Sequence, residues 1–313
     1  MNLFMADFQL TTPVAFLIFN RPDTTARVFE AIRQAKPPKL LVVADGPRPD
    51  RPDDVEKCKA ARAVIERVDW NCQVLKNYSD VNLGCGKRPA TGITWVFEQV
   101  EEAIIFEDDC LPHMSFFRYC EELLKYYRND QRIMFISGNN FQLGRQRTSY
   151  SYYFSRYPTC WGWATWKRAW QYFDLDIQLW EEVRDGNMFK YIFTNHRSMK
   201  YWKKIYNQSR YDIQNGTLHW WDYLWFFACW VQSGLAIVPN VNLVRNIGFG
   251  PNATHTLDRK SRLNINAQEM SFPLKHPPYI IPNIEADNFV YNFYFNTPLL
   301  SRLFKKIISS LSL

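Results

Sequence analysis

The sequence predicts an α/β fold, a three-layer sandwich around a mostly parallel central sheet, on three observations. Short, continuously apolar runs recur, the pattern of strands buried on both faces. Each early run is followed by an amphipathic stretch at helical spacing, so strand and helix alternate as in βαβ units. Polar and charged residues collect where the runs end, and the carboxyl edge of a parallel sheet is where such folds bind ligands.

Taken in order, Val14–Phe19 is the first strand, and Asn20-Arg21-Pro22-Asp23 leads into a helix to Ala35 with Val28, Ile32 and Ala35 on one side. A simple helix cap is the plain reading of that turn. Leu40–Ala44 is the second strand and stops at Asp45-Gly46-Pro47. A helix from Asp53 to Val68 follows, its early acids suited to the positive helix end. Gln73–Tyr78 reads as a third strand, and Asn82-Leu83-Gly84-Cys85-Gly86-Lys87 as a glycine-bearing loop opening a helix to Val100. The fourth strand, Ala103–Phe106, ends in Glu107-Asp108-Asp109. Three adjacent carboxylates repel one another and call for a hard cation or several hydrogen-bond donors. A helix at Phe116–Tyr127 and strands at Ile133–Ser137 and Leu235–Pro239 complete the regular elements. Tyr157 to Trp166 reads as a turn entering a helix.

Residues 13–140 are therefore expected to form one half of a single domain and 141–296 the other side of its cleft. In 297–313, Leu299, Leu300, Leu303, Phe304, Ile307, Ile308 and Leu311 recur at three and four residues, with Arg302, Lys305 and Lys306 between them. This predicts a C-terminal basic amphipathic helix, either lying on an anionic membrane surface or packed on the protein's own core or on a second subunit of a homo-oligomer.

Composition narrows the partners. The 313 residues are 47% hydrophobic and 22% charged, ordinary for a globular chain long enough to bury a large core. Aromatic residues make up 17%, with most of the 12 Trp between Trp161 and Trp230, a density that means aromatic core or a surface for sugar rings. The net charge of +7 favours anionic partners, but the basic residues are scattered, which argues against nucleic acid. Seven cysteines without a Cys-x-x-Cys pair argue against a zinc ribbon or disulfide framework and for a reducing compartment. Neither a signal peptide nor an apolar run of membrane-spanning length is read. Gly84-x-Gly86-Lys87 matches no phosphate-loop fingerprint.

From Pro13 to about His255 the chain resembles the GT-A fold nucleotide-sugar glycosyltransferases, with a Rossmann-like nucleotide-binding half, and among them the N-acetylglucosaminyltransferase I type. The ordered series that carries this is Asn20-Arg21, Asp45-Gly46, Glu107-Asp108-Asp109, Gly162-Trp163, Trp221-Asp222, and Phe249-Gly250 shortly before His255. The resemblance implies an inverting, metal-dependent transferase that uses a UDP-sugar such as UDP-GlcNAc and a glycan or lipid-linked saccharide acceptor. It implies Mn²⁺ (or Mg²⁺) on Asp109, with His255 touching the metal or diphosphate. Asn20, Arg21, Asp45, Lys87, Arg88, Glu107 and Asp108 would serve the nucleotide and donor. Trp161 or Trp163 would wall the donor sugar, with Gly162 giving backbone access, and Arg245–His255 would close over it. Asp222 would be the general base, although the relatives place two acids after the tryptophan where this chain has Asp222 then Tyr223. Absence of a signal anchor fits a bacterial-type cytoplasmic enzyme, peripheral at the inner membrane face. The other readings are a nucleotidyltransferase, whose glycine- and lysine-rich N-terminal signature is missing, and a non-catalytic carbohydrate-binding protein.

Overall fold

Side chains alternate in direction along the continuously apolar first strands, which sorts them onto two faces, and both faces are covered. A computed structural model describes residues 8–249 and 263–296. In chain order the elements are β1 (Val14–Ile18), α1 (Pro22–Ala35), β2 (Lys39–Ala44), α2 (Asp53–Ala63), β3 (Gln73–Tyr78), α3 (Gly84–Gln99), β4 (Glu102–Glu107) and β5 (Cys110–Pro112). There follow α4 (Ser115–Tyr126), β6 (Ile133–Ser137), β7 (Tyr152–Ser155), β8 (Trp163–Trp166), α5 (Lys167–Trp170), α6 (Trp180–Asp185), α7 (Phe189–Ile192) and α8 (His196–Gln214). The last are α9 (Trp221–Val231), β9 (Leu235–Pro239), β10 (Val244–Asn246) and α10 (Ile284–Val290).

Eight strands form one sheet in the order β3-β2-β1-β4-β8-β6-β9-β7. The pairs β3-β2, β2-β1, β1-β4 and β6-β9 are parallel. Antiparallel pairing enters where β8 lies between β4 and β6, and at the β7 edge. Val14, Phe16 and Ile18 of β1 join Val28, Phe29 and Ile32 of α1 and Phe116, Leu123 and Leu124 of α4 in one core. Ala15 and Leu17 face the other way, toward Ile93, Val96 and Phe97 of α3 and the aromatic helices α8 and α9. The expected three-layer α/β sandwich is therefore the observed one, with a mixed second half.

The segment expected to turn into a helix at Tyr157–Trp166 instead ends in strand β8, every residue of which is buried. A β-strand suits Trp163-Ala164-Thr165-Trp166 because alternate residues must reach opposite cores: Trp163 joins one and Trp166 the other. Trp163 is fully buried, its ring parallel to Phe135 at 4.8 Å and stacked on Trp221 at 5.8 Å. It is a core residue, not a wall for a donor. Trp163→Ala should cost about 3–5 kcal/mol of stability, read as a fall in denaturation midpoint.

Chemistry at the sheet's carboxyl edge depends on a small second sheet. β5 leaves the acidic turn and pairs antiparallel with β10, setting Asn246 opposite Cys110. The Ile247 amide donates to the Asp109 carbonyl at 2.8 Å, so the chain beyond β10 is clamped beside the acids. Gly162 supports this ribbon. Its φ of 65° favours glycine, and a Cβ there would crowd the Val244 side chain. Close packing with β10, rather than access for a ligand, explains this glycine.

Candidate active site

Glu107 ends β4, and the tight turn Asp108-Asp109 returns the chain into β5, so three carboxylates emerge at one point of the carboxyl edge. Arg21, just past β1, answers them. Its Nη1 lies 2.6 Å from Asp109 Oδ2 and its Nη2 3.1 Å from Asp108 Oδ1. Pro22 starts α1 at a position where a missing N–H costs nothing, and Thr25 Oγ1 donates to the Arg21 carbonyl at 2.7 Å. The Arg21 guanidinium is thus held over the acids by its own backbone, and Asp108, Asp109 and Glu107 raise its pKa against the cost of burial.

Asp108 is 2% exposed and also accepts the Phe19 amide at 3.2 Å, which ties the turn to β1. Asp109 faces a cavity of about 210 Å³ that Arg21 and Glu107 also line. On its other side Asn246 Nδ2 donates to Asp109 Oδ1 at 3.4 Å. Gly248 completes the seat: a Cβ there would collide with Asp109 Oδ2 and press on the Arg21 guanidinium. Gly248→Ala should therefore push the Arg21–Asp109 pair apart, and weakened binding of nucleotide diphosphate with little change in melting temperature is the expected result in a thermal-shift titration.

The opposite wall comes from α9. Trp220 ends the preceding loop in extended conformation, and Asp222 occupies the first helical turn, where the helix end favours a carboxylate. Burial nevertheless raises its pKa to about 6, against the amide N–H groups of Tyr223 and of its own residue. Among the described residues no Lys or Arg forms an ion pair with it. Glu107 is pushed up as well, first by burial and then by Asp109, Asp108 and Asp222. Among the described residues, three carboxylates, Glu107, Asp109 and Asp222, thus line one cavity with the Arg21 guanidinium, and Asp108 lies behind them.

The remaining walls are aromatic. Trp161 meets Phe141 edge-on at 5.2 Å, Tyr294 lies stacked on Phe141 at 5.1 Å, and Trp220 stacks on Tyr223 at 5.5 Å. Thr159, Cys160, Phe226 and Phe295 fill the floor, with Cys85 and His219 at the α3 side. Of the residues expected at the site, Arg21, Glu107, Asp109, Trp161 and Asp222 are brought together, with Asp108 behind them. Tyr294 and Phe295 carried no local signal, because they come from a π turn, Tyr291–Phe295, far along the chain. Asn246 and Gly248 lay inside the segment expected to cover the site, and their contact with Asp109 follows only from the β5–β10 pairing.

Several residues expected to contact the nucleotide are engaged with the protein itself. Both Asp45 carboxylate oxygens cap the start of α3, accepting the Leu83 and Gly84 amides at 2.9 and 3.0 Å and Asn82 Nδ2 at 3.1 Å. Arg88 is 7% exposed, and its guanidinium binds the Ala44 carbonyl at 3.1 Å and the Asn77 carbonyl, stitching α3 to the ends of β2 and β3. Asn20 Nδ2 donates to Asp54 Oδ1 at 2.6 Å, and Arg48 holds the same carboxylate. Lys87 is exposed on the first turn of α3. His255, Gly250 and the helix expected at 297–313 lie outside the described residues.

Among the described residues no three His, Cys, Asp or Glu side chains converge as a ready-made metal cage. The site fits a hard divalent cation in another way. Asp109 offers carboxylate oxygen, the surplus of negative charge is large, and ions such as Mg²⁺ are commonly held by one or two carboxylates plus substrate phosphates.

No family model matches this sequence, and no curated protein matches it. Solved structures similar to it include S. aureus TarS 1–349, at 8% identity and a TM-score of 0.35, covering 56% of this chain and 49% of that one. The chain thus spans about half the length of that protein. Mouse xyloside xylosyltransferase 1, apo form, is similar at 11% identity and a TM-score of 0.33, over 79% of this chain and 86% of that one. A UDP-glucose pyrophosphorylase complexed with UDP-glucose is similar at 14% identity and a TM-score of 0.26, over 47% of this chain and 62% of that one.

Proposed function

We propose that this chain is a GT-A type glycosyltransferase that moves a sugar from a UDP-sugar to a hydroxyl of a glycan or lipid-linked acceptor, with inversion. One observation carries the reading. A desolvated carboxylate with no cationic partner among the described residues, Asp222, shares a cavity with an acid–guanidinium cluster suited to a diphosphate.

A hydroxyl is a poor nucleophile until a base takes its proton in the transition state. Asp222 does this through a carboxylate that burial makes more basic than usual while leaving it ionised at neutral pH. The aromatic walls of Trp161, Tyr223 and Tyr294 pack on sugar faces and exclude water around the reacting carbon. Arg21 moves from partner of the acids to partner of the diphosphate, whose oxygens it can grip with its planar fork. Glu107 accepts hydrogen bonds from donor hydroxyls. Mn²⁺ or Mg²⁺ would be held by Asp109, and when bound it supplies positive charge against the departing diphosphate.

The test is product release from a panel of UDP-sugars, UDP-GlcNAc included, with Mn²⁺ present. Release of UDP, with the sugar recovered on acceptor or on water, is expected. Release of pyrophosphate from UTP and a sugar phosphate would instead identify a nucleotidyltransferase, and turnover of neither would remove both readings.

A further inference from the structure

One surface of the second half is basic in a way the catalytic site does not use. Between Asp185 and Asp212 the sequence holds Lys190, Arg197, Lys200, Lys203, Lys204 and Arg210 and not one Asp or Glu. The structure turns this run into a face. α8 buries Ser198, Trp202, Tyr206 and Ser209 on one side, so Arg197, Lys200, Lys204 and Tyr211 fall on the opposite, exposed stripe. The only acid of α8, Asp212, is buried and bound by Gln208 at 2.8 Å. Arg210 is spent on Glu181, but among the described residues no carboxylate pairs with Arg197, Lys200 or Lys204.

Exposed apolar groups border the same face. Lys203 Nζ binds Asn187 Oδ1 at 2.6 Å, which docks the turn before α7 against α8. That turn and helix present Met188 at 42% and Tyr191 at 73% exposure, and Tyr211 at the far end of α8 is 61% exposed. Lysine with exposed tyrosine is the composition of a surface that meets lipid headgroups, where the charge attracts anionic lipid and the ring settles at the interface. Nucleic-acid binding would instead favour arginine-rich, groove-shaped relief with stacked rings.

We infer that the α7–α8 face is a docking surface for an anionic lipid bilayer. It stands independently of the reaction proposed above. Because the inner side of α8 packs on Tyr223 and Phe226, which line the cavity, docking would hold the cavity within one helix layer of the membrane.

The full chain should co-sediment with phosphatidylcholine vesicles that contain phosphatidylglycerol and not with phosphatidylcholine alone, and added salt should release it. The triple variant Arg197→Glu, Lys200→Glu, Lys204→Glu keeps residues 297–313 and changes only exposed positions, so an unchanged circular dichroism spectrum and melting temperature are the folding check. Its partition into anionic vesicles should fall by about a hundredfold or more. Tyr191→Ser with Tyr211→Ser should weaken binding without altering its salt dependence. Unchanged vesicle binding by the triple variant, binding that ignores lipid charge, or capture of single-stranded RNA with no vesicle binding would each overturn the inference.

Discussion

Asp222→Asn is expected to lower sugar transfer by about 10²–10⁴-fold, the range that general-base catalysis supplies, while UDP binding stays nearly unchanged. The amide is isosteric and can still accept from the α9 amides, but it cannot take a proton. Wild-type kcat should rise with pH through about 6, where Asp222 ionises, and level off above it. Among the described residues the titratable groups that feel its charge are Glu107, Cys85, Cys160, Tyr206, Tyr223 and Tyr294, and none supplies a cation that would pull the midpoint down. Stability should change in the opposite sense. An acid whose folded pKa lies above its unfolded value binds more protons when folded, so its charge destabilises the fold increasingly from about pH 4 to 6 and fully above that. Asp222→Asn should therefore melt no lower than the parent at neutral pH, and higher if burial dominates. A variant that is inactive because it is unfolded would be distinguished by that measurement.

Asp109→Ala carries the second large effect. Asp109 is where the Arg21 ion pair, the Asn246 amide and the backbone of Gly248 meet, and its carboxylate faces the cavity. Removing it should abolish the divalent-ion-dependent part of UDP affinity, a loss of about tenfold or more, or ~1.4 kcal/mol for each factor of ten. Among the described residues Arg21 then keeps one ion pair, to Asp108, so metal-free binding of UDP should survive or tighten as the guanidinium is freed. Calorimetry with and without Mn²⁺ separates these two parts. Asp108→Ala should differ, because Asp108 is buried and tied to Phe19; its loss should appear first as lower stability.

The first half of the fold was legible because β1, β2 and β4 are near-uniform apolar runs and their ends are marked by charge. Burial on two faces leaves no other use for Val14–Ile18 or Ala103–Phe106. The second half was harder to read, since Trp163–Trp166 has the aromatic content of a helix in this chain yet alternates between two cores. Its antiparallel insertion between β4 and β6 depends on partners distant in sequence. The acids at the site were visible as a cluster, and Asp222 by its aromatic setting. The protein contacts of Asp45 and Arg88 were not legible for a shared reason: a charged side chain at a strand end can serve a ligand or the loose backbone groups there, and only the fold shows the latter. Asn246, Gly248, Tyr294 and Phe295 reach the cavity through a two-stranded ribbon and a late π turn that no local pattern announces.

Titration of the full chain with UDP by calorimetry, in the presence and absence of Mn²⁺, tests the nucleotide-sugar reading most directly. Wild type and Asp222→Asn should bind UDP with a common, Mn²⁺-enhanced affinity, and Asp109→Ala should lose the enhancement. No heat of UDP binding under any metal condition, or an enhancement that survives Asp109→Ala, would contradict it.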